Sequence, residues 1–376
     1  MEPVTHFLTG ACIGRAGLNR KTALATLGAV LAAEAADLDI LWSFAGPVEG
    51  LKHHRGITHT LIAAPVVAAV VTVAVWGFHV WRERRRACKL AALHLEPGAP
   101  VPPRFEPRRL HLGWLYLTTL IAAFSHILLD WTNNYGVRPF FPFNPRWYAG
   151  SFVFIAEPVL WVILVGAVVF PGLFGLADRE IGARSKGPRG QIWAILALAS
   201  IVLVWIVRWT THEEALALLQ TQPITTQPIL RATVEPYPIN PFHWHAIVET
   251  AYFYQTADIN TRLGRVDSDP HQDVIYKPEE TPAIEAAKRT PLGQAYLDWG
   301  RWAVVRDVGQ EPVSGFPPPE LPPGRNWTTV QFTDLRFDYA FRGEGRSTGP
   351  PPLSGWVYIV DGREEAGEIM NGREEK

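Results

Sequence analysis

The sequence predicts a mainly α fold: a polytopic membrane helix bundle of about five to six membrane helices, followed by a small soluble α+β domain. Three observations carry that prediction. The 376 residues are 48% hydrophobic and only 19% charged, with 15 Trp, too apolar and tryptophan-rich for an ordinary cytosolic chain of this length. Apolar runs approaching bilayer length recur through the first half. Beyond about residue 211, prolines, charges and alternating stretches replace them. A membrane-embedded unit over 1–211 and an extracytoplasmic α+β unit over 212–376 follow from that shift.

Charge and cysteine content narrow the function classes. The formal net charge is -1, so no global field points to nucleic acid as a partner. Cys12 and Cys88 are too few for a disulfide framework and make no CxxC spacing. Any metal is therefore held by nitrogen and oxygen. No Gly-rich phosphate loop, GxSxG elbow or HExxH pair is present.

In chain order, residues 5–10 read as a short helix ending in the polar turn 15–21. Glu2 and His6 stand where a signal peptide carries lysine or arginine, so this segment is read as retained. A second helix over 22–42 is built on small residues, among them Gly28, Ala29, Ala32 and Ala33, which suits close packing between membrane helices. Glu34, Asp37 and Asp39 gather at its far end. Helix three is expected over 57–81 with a kink at Pro65, and helices over 110–131, 152–177 and 192–209 complete the bundle. Arg82, Arg84, Arg85, Arg86, Lys89, Arg104, Arg108 and Arg109 follow helix three; Arg179, Arg184, Lys186 and Arg189 follow helix five. The positive-inside rule assigns both basic loops to the cytoplasm.

Alternation from those loops brings scattered polar groups to one face. His53-His54-Arg55-Gly56-Ile57-Thr58-His59, Asp37 and Asp39, His126 and Asp130, and Glu157 all fall on the non-cytoplasmic side, and His6 joins them if the first segment dips into the bilayer. Polar groups crowded at a membrane segment's mouth are costly to desolvate, and histidines there point to a metal or a proton path. His126 and Asp130, four apart in an apolar helix, share one helical face and suit two ligands of one metal. Asp37 and Asp39 cannot share a helical face, which places them where helix two unravels. One is a candidate metal bridge; the other is a candidate for orienting a histidine.

Four motifs then resemble a known family. They are Thr5-His6-Phe7-Leu8, Asp37-Leu38-Asp39, His54-Arg55-Gly56-Ile57-Thr58-His59-Thr60, and Ser125-His126-Ile127-Leu128-Leu129-Asp130 running on to Thr132, Gly136 and Pro142-Phe143. Over roughly its first half the chain resembles the bacterial inner-membrane metal-dependent hydrolases of the YdjM/YbcI type. That resemblance implies a metal, a hydrolytic activity, and ligands at His6, Asp37, Asp39, His54, His59, His126 and Asp130. Two positions depart from the expected pattern: Ala36 stands for a proline and His53 for a glycine.

The C-terminal unit reads as strands over 229–234, 246–254, 328–332, 335–341 and 356–360, with helices over 282–289 and 292–304 and a frayed end over 363–376. His243 and His245 alternate across a strand start and are read as aromatic packing. The loop with Asp267, Asp269, His271 and Asp273 lacks an EF-hand's glycine and terminal glutamate and is read as a solvated turn.

The expected function is a membrane-bound metal-dependent hydrolase at the outer membrane face of the bacterial inner membrane. Zinc leads as the metal, with manganese or iron as alternatives for the same donors. Arg55 is expected to neutralise an anionic substrate group, and Glu157 or one of Asp37 and Asp39 to handle the proton. The bilayer is the partner, and a phospholipid or lipid-linked phosphoester is the substrate class that location suggests. The rival readings are a transporter and a metal-responsive or structural membrane protein.

Overall fold

The computed structural model describes residues 1–93, 109–180, 190–339 and 351–375. Helix α1 (Pro3–Ile13) is capped by the Glu2 side chain on Thr5 N–H and runs through a π-helical turn, Gly14–Leu18, into the short α2 (Asn19–Lys21). Helix α3 (Ala25–Glu34) then passes into a 3-10 segment, Ala35–Phe44, so Asp37 and Asp39 sit where the α-helix gives way. The small residues do what their size suggests. A Cβ on Gly10 of α1 would lie 2.8 Å from the Ala29 carbonyl oxygen, and one on Gly28 would lie 2.9 Å from Leu115 Cδ1. At Gly10 the neighbour is backbone, so a larger residue would force α1 and α3 apart.

After α4 (Pro47–His53) and a single 3-10 turn, Ile57–His59, comes α5 (Ala63–Leu93), then α6 (Leu112–Thr132), α7 (Pro158–Glu180) and α8 (Gln191–Thr221). Residues 57–62 are thus not the start of helix three. Pro65 falls in the first turn of α5, where its missing N–H has no helical acceptor to lose, and it causes no mid-helix kink. Ala63–Lys89, α6 and α8 are long and apolar enough to cross a membrane, while the apolar part of α7, Pro158–Gly172, is shorter. Arg104, Arg108, Arg184, Lys186 and Arg189 lie outside the described residues.

Helix α8 continues through residue 211 to Thr221, and the sheet-rich part begins at β1 (Arg231–Pro236). The expected single strand over 246–254 is two antiparallel strands, β2 (His243–Glu249) and β3 (Phe253–Asn260), turning at 250–252. With β4 (Arg265–Asp267) and β5 (Val274–Tyr276) they form the first antiparallel sheet. Helices α9 (Pro282–Arg289) and α10 (Pro291–Trp299) follow, and the second sheet holds β6 (Ala303–Asp307), β7 (Trp327–Asp334), β8 (Gly355–Val360), β9 (Glu364–Met370) and β10 (Arg373–Glu374). The end expected to fray is therefore a strand pair that completes the sheet. Leu335–Phe337, expected as a strand, is a 3-10 turn because Asp334 caps Arg336 N–H; residues 340 and 341 lie outside the described residues.

One apolar core runs without a break from α1, α7 and α8 into β1, β2 and β3, with Trp244 fully buried in it. A second joins Tyr135 and Trp147 of the α6–α7 connection to Trp299, Phe332 and Phe337. The C-terminal part is thereby fastened to the end of α6 that carries His126 and Asp130.

Candidate metal centre

The local backbone explains the histidine-rich loop. Arg55 takes φ 52°, a left-handed conformation costly for a side chain of its size, and Gly56 follows at a point where a Cβ would meet His53 O at 2.8 Å. One carboxylate holds this turn. Asp39 Oδ2 accepts from Arg55 N–H at 2.8 Å and Thr58 Oγ1 at 3.2 Å and lies 3.1 Å from His59 Nδ1, while Oδ1 lies 3.1 Å from His54 Nδ1.

Both nitrogens of His59 and of His126 have acceptors in reach. In the tautomer that gives its Nδ1 proton to Asp39 Oδ2, 3.1 Å away, His59 presents a bare Nε2. His126 Nδ1 donates to the Ala33 carbonyl at 2.5 Å and leaves its own Nε2 bare. The two bare nitrogens face each other at 2.9 Å. Asp37 Oδ1 lies 3.2 Å from His59 Nε2 and 3.6 Å from His126 Nε2; Asp130 Oδ2 lies 3.4 Å and 3.3 Å from the same two atoms. In those tautomers four lone-pair donors converge with no hydrogen between them, three of them on buried residues and Asp37 at the edge. That arrangement is repulsive unless a cation fills it. Ligands about 2.0–2.1 Å from a tetrahedral zinc are about 3.4 Å apart, close to the five distances here.

The remaining expected residues fall around this group. His6 stacks on His126, with ring centroids 3.8 Å apart, and its Nε2 lies 3.3 Å from Asp130 Oδ1. Both His6 nitrogens and Asp130 Oδ2 are buried without a hydrogen-bond partner, which is how atoms awaiting a cation look. His54 forms a second possible grouping with Asp37 and Asp39, and its side chain is 31% exposed. Arg55 is buried: its Nη2 lies 2.8 Å from Asp130 Oδ1, and its Nη1 donates to Gly136 O at 2.8 Å and Asn133 Oδ1 at 3.3 Å. Its guanidinium also lies 4.6 Å over the Tyr135 ring. Glu157 is in neither ligand grouping. Its Oε2 pairs with Arg208 at 2.5 Å and its Oε1 accepts from Ile239 N–H at 3.1 Å, a bond between the helices and the strand region.

Sequence reasoning passed over Asn133 and Tyr135. Asn133 Oδ1 also accepts from Tyr135 N–H and Gly136 N–H, so one amide shapes the turn that grips Arg55. The signal was the Asn-Asn-Tyr-Gly run that begins at Asn133, three residues after Asp130. In the C-terminal part, His243 stacks on Tyr237 and His245 on Tyr339, as their strand setting suggested.

A family model described as YdjM inner membrane protein matches residues 1–215 of the chain. The chain is also similar to a Bacillus subtilis (strain 168) protein described as "Uncharacterized protein YfhP", 24% identical over 176 residues. That match spans 45% of this chain and 45% of the relative. No solved structure matches.

Proposed function

From the membership of this chain in the YdjM inner membrane protein family, and from the facing lone pairs of His59 and His126, we propose a metal-dependent membrane hydrolase acting on a lipid-linked phosphoester. The convergence of those two nitrogens with Asp37 and Asp130 is the observation that carries the reading. In it, α1, α3 and α7 complete a bundle of five to six helices around the three long spans. The metal centre and the C-terminal part face the extracytoplasmic side.

Asp37, His59, His126 and Asp130 hold a divalent cation, zinc before manganese or iron, with His6 beside them. When bound, such a cation lowers the pKa of water and polarises a phosphoryl oxygen. Asp39 keeps His59 in the tautomer that offers Nε2. Arg55 orients Asp130 and offsets its charge. His54, held by Asp39 through Nδ1 and open at the mouth, is the group placed to carry a proton to or from the reacting ester.

The surroundings favour a lipid. Asp37 and His54 form the accessible edge of the cluster, and next to them Leu38, Ile40 and Ile57 are 61%, 62% and 61% exposed. Exposed apolar side chains in that density suit the headgroup boundary of a bilayer, where a phosphoester enters with its chains still in the leaflet.

The test uses the full chain in lipid nanodiscs. Metal measured by mass spectrometry should be present, should fall sharply in His126→Ala, and should be required for hydrolysis of a short-chain phosphatidate. Full metal occupancy in a stable His126→Ala, Asp130→Ala variant would overturn the centre. Metal without hydrolysis of any lipid phosphoester would overturn the enzyme and leave the transporter or structural reading.

A further inference from the structure

Helix α1 continues through the π-helical segment Gly14–Leu18 into α2, with a break at Gly17. It packs against α3, α6, α7 and α8, and the π-helical segment Gly14–Leu18 that follows stays on α3, α6 and α8 until the chain breaks from helical geometry at Gly17, φ 138°. The first turns of α6 and α8 lie beside that segment: His111 N–H donates to Thr22 Oγ1 at 2.8 Å and Gln191 Nε2 to Ala16 O at 3.0 Å. Between them and the turn lies a groove of about 600 Å³ whose walls include Ile13, Leu18, Ile121 and Leu198. Such a volume is within the range that bound ligands occupy.

The groove's lip is basic. Arg20 and Lys21 line it and are exposed, and among the described residues neither makes an ion pair. Lys21 Nζ lies 5.5 Å over the Trp114 ring, the pairing of cation and indole found where side chains meet headgroups. No carboxylate occurs in the sequence over 11–33, 109–129 or 190–212, the stretches that surround the groove. Arg15 adds a third positive charge, with its Nη1 on Val168 O at 3.1 Å.

We propose that this groove binds an anionic phospholipid, with one acyl chain beside Ile13 and Leu198 and the phosphate on Arg20 and Lys21. The site lies at the end of α6 opposite His126 and Asp130, so it is distinct from the metal centre and does not depend on hydrolysis. Its selectivity comes from charge: two basic groups near a membrane surface, at about 1 kcal/mol each, correspond to a preference of about 30-fold for an anionic over a zwitterionic headgroup.

Native mass spectrometry of the full-length protein from detergent tests this with phosphatidylglycerol and phosphatidylcholine of identical chains. Phosphatidylglycerol should be retained at about one per chain with the preference above. Arg20→Gln, Lys21→Gln should remove the preference, and Leu198→Trp, which fills the groove, should reduce retention of both lipids while the metal content stays unchanged. Equal retention of the two lipids by the unsubstituted protein, or undiminished selectivity in the double variant, would overturn the proposal. Competition by inorganic phosphate as effective as by phosphatidylglycerol would overturn the lipid and leave a plain anion site.

Discussion

Arg55 shows how one side chain's surroundings decide its task. A guanidinium beside a cation site could face an incoming phosphate, but here its fork is divided among Asp130, Asn133 and Gly136 O, and it is 2% exposed. Arg55→Lys keeps the charge but cannot span three acceptors, so thermal stability and metal content should fall together. An Arg55→Lys protein that keeps its metal and melting temperature but loses turnover would return Arg55 to substrate binding. Glu235 gives a prediction outside the membrane helices. It is buried, and burial pushes its carboxyl up to about 8 from an ordinary 4.5. A raised folded pKa means the folded state holds the proton where the unfolded state has released it. Stability linked to Glu235 is thus full below about pH 4.5 and lost as pH rises through 8. The melting temperature should be lower at pH 9 than at pH 6, and Glu235→Gln should shrink that difference. An unchanged difference in the variant would mean other groups govern the alkaline limb.

At the scale of elements, the turn between α9 and α10 rests on one threonine. Thr290 Oγ1 accepts from Gly293 N–H at 3.2 Å and donates to Ala287 O at 2.9 Å, closing one helix and opening the next. Thr290→Ala should cost about 1 kcal/mol, read as a melting shift of about 2–4 °C. A Thr290→Ala protein as stable as its parent would show that packing alone holds the corner. Helix α9 was legible in sequence to its ends because Thr281, Pro282 and the apolar face at Ala283, Ile284, Ala286 and Ala287 agree. The ligand positions were legible for a different reason: ionisable groups in an apolar setting are conspicuous. What sequence hid was made of longer-range contacts. The strand over Glu364–Met370 looked frayed because its charged residues signal solvent, yet its backbone is paired with β8 and Ile369 and Met370 are buried. Asn133 was hidden because its role depends on a guanidinium from Arg55, distant in sequence.

The whole molecule separates its charges by end. The metal centre and the C-terminal part occupy one end of α6, with Arg336 Nη1 on Asn134 O at 2.9 Å and Arg138 on Asp298 at 3.0 Å fastening the two. At the other end, His111 N–H donates to Thr22 Oγ1 at 2.8 Å and Ala23 N–H to Arg109 O at 3.2 Å, so the turn bearing Arg20 and Lys21 lies against Arg109. The far end of α5 adds Arg82, Arg84, Arg85, Arg86 and Lys89. The run of Lys and Arg at this end of the long helices is the feature that the positive-inside rule reads as cytoplasmic. The prediction is that the basic end is cytoplasmic and the sheet-rich part extracytoplasmic. Because α8 runs unbroken to Thr221, the informative reporter fusion follows Thr221 rather than lying inside the helix. An alkaline phosphatase fused there should be active, and Cys88, exposed on α5 beside the arginines, should resist an impermeant thiol reagent in intact cells. Labelling of Cys88 from outside, or an inactive phosphatase with an active cytoplasmic reporter at the same point, would invert the protein. Inversion would put the metal centre at the inner leaflet, and the substrate would then have to be a lipid phosphoester of the cytoplasmic side.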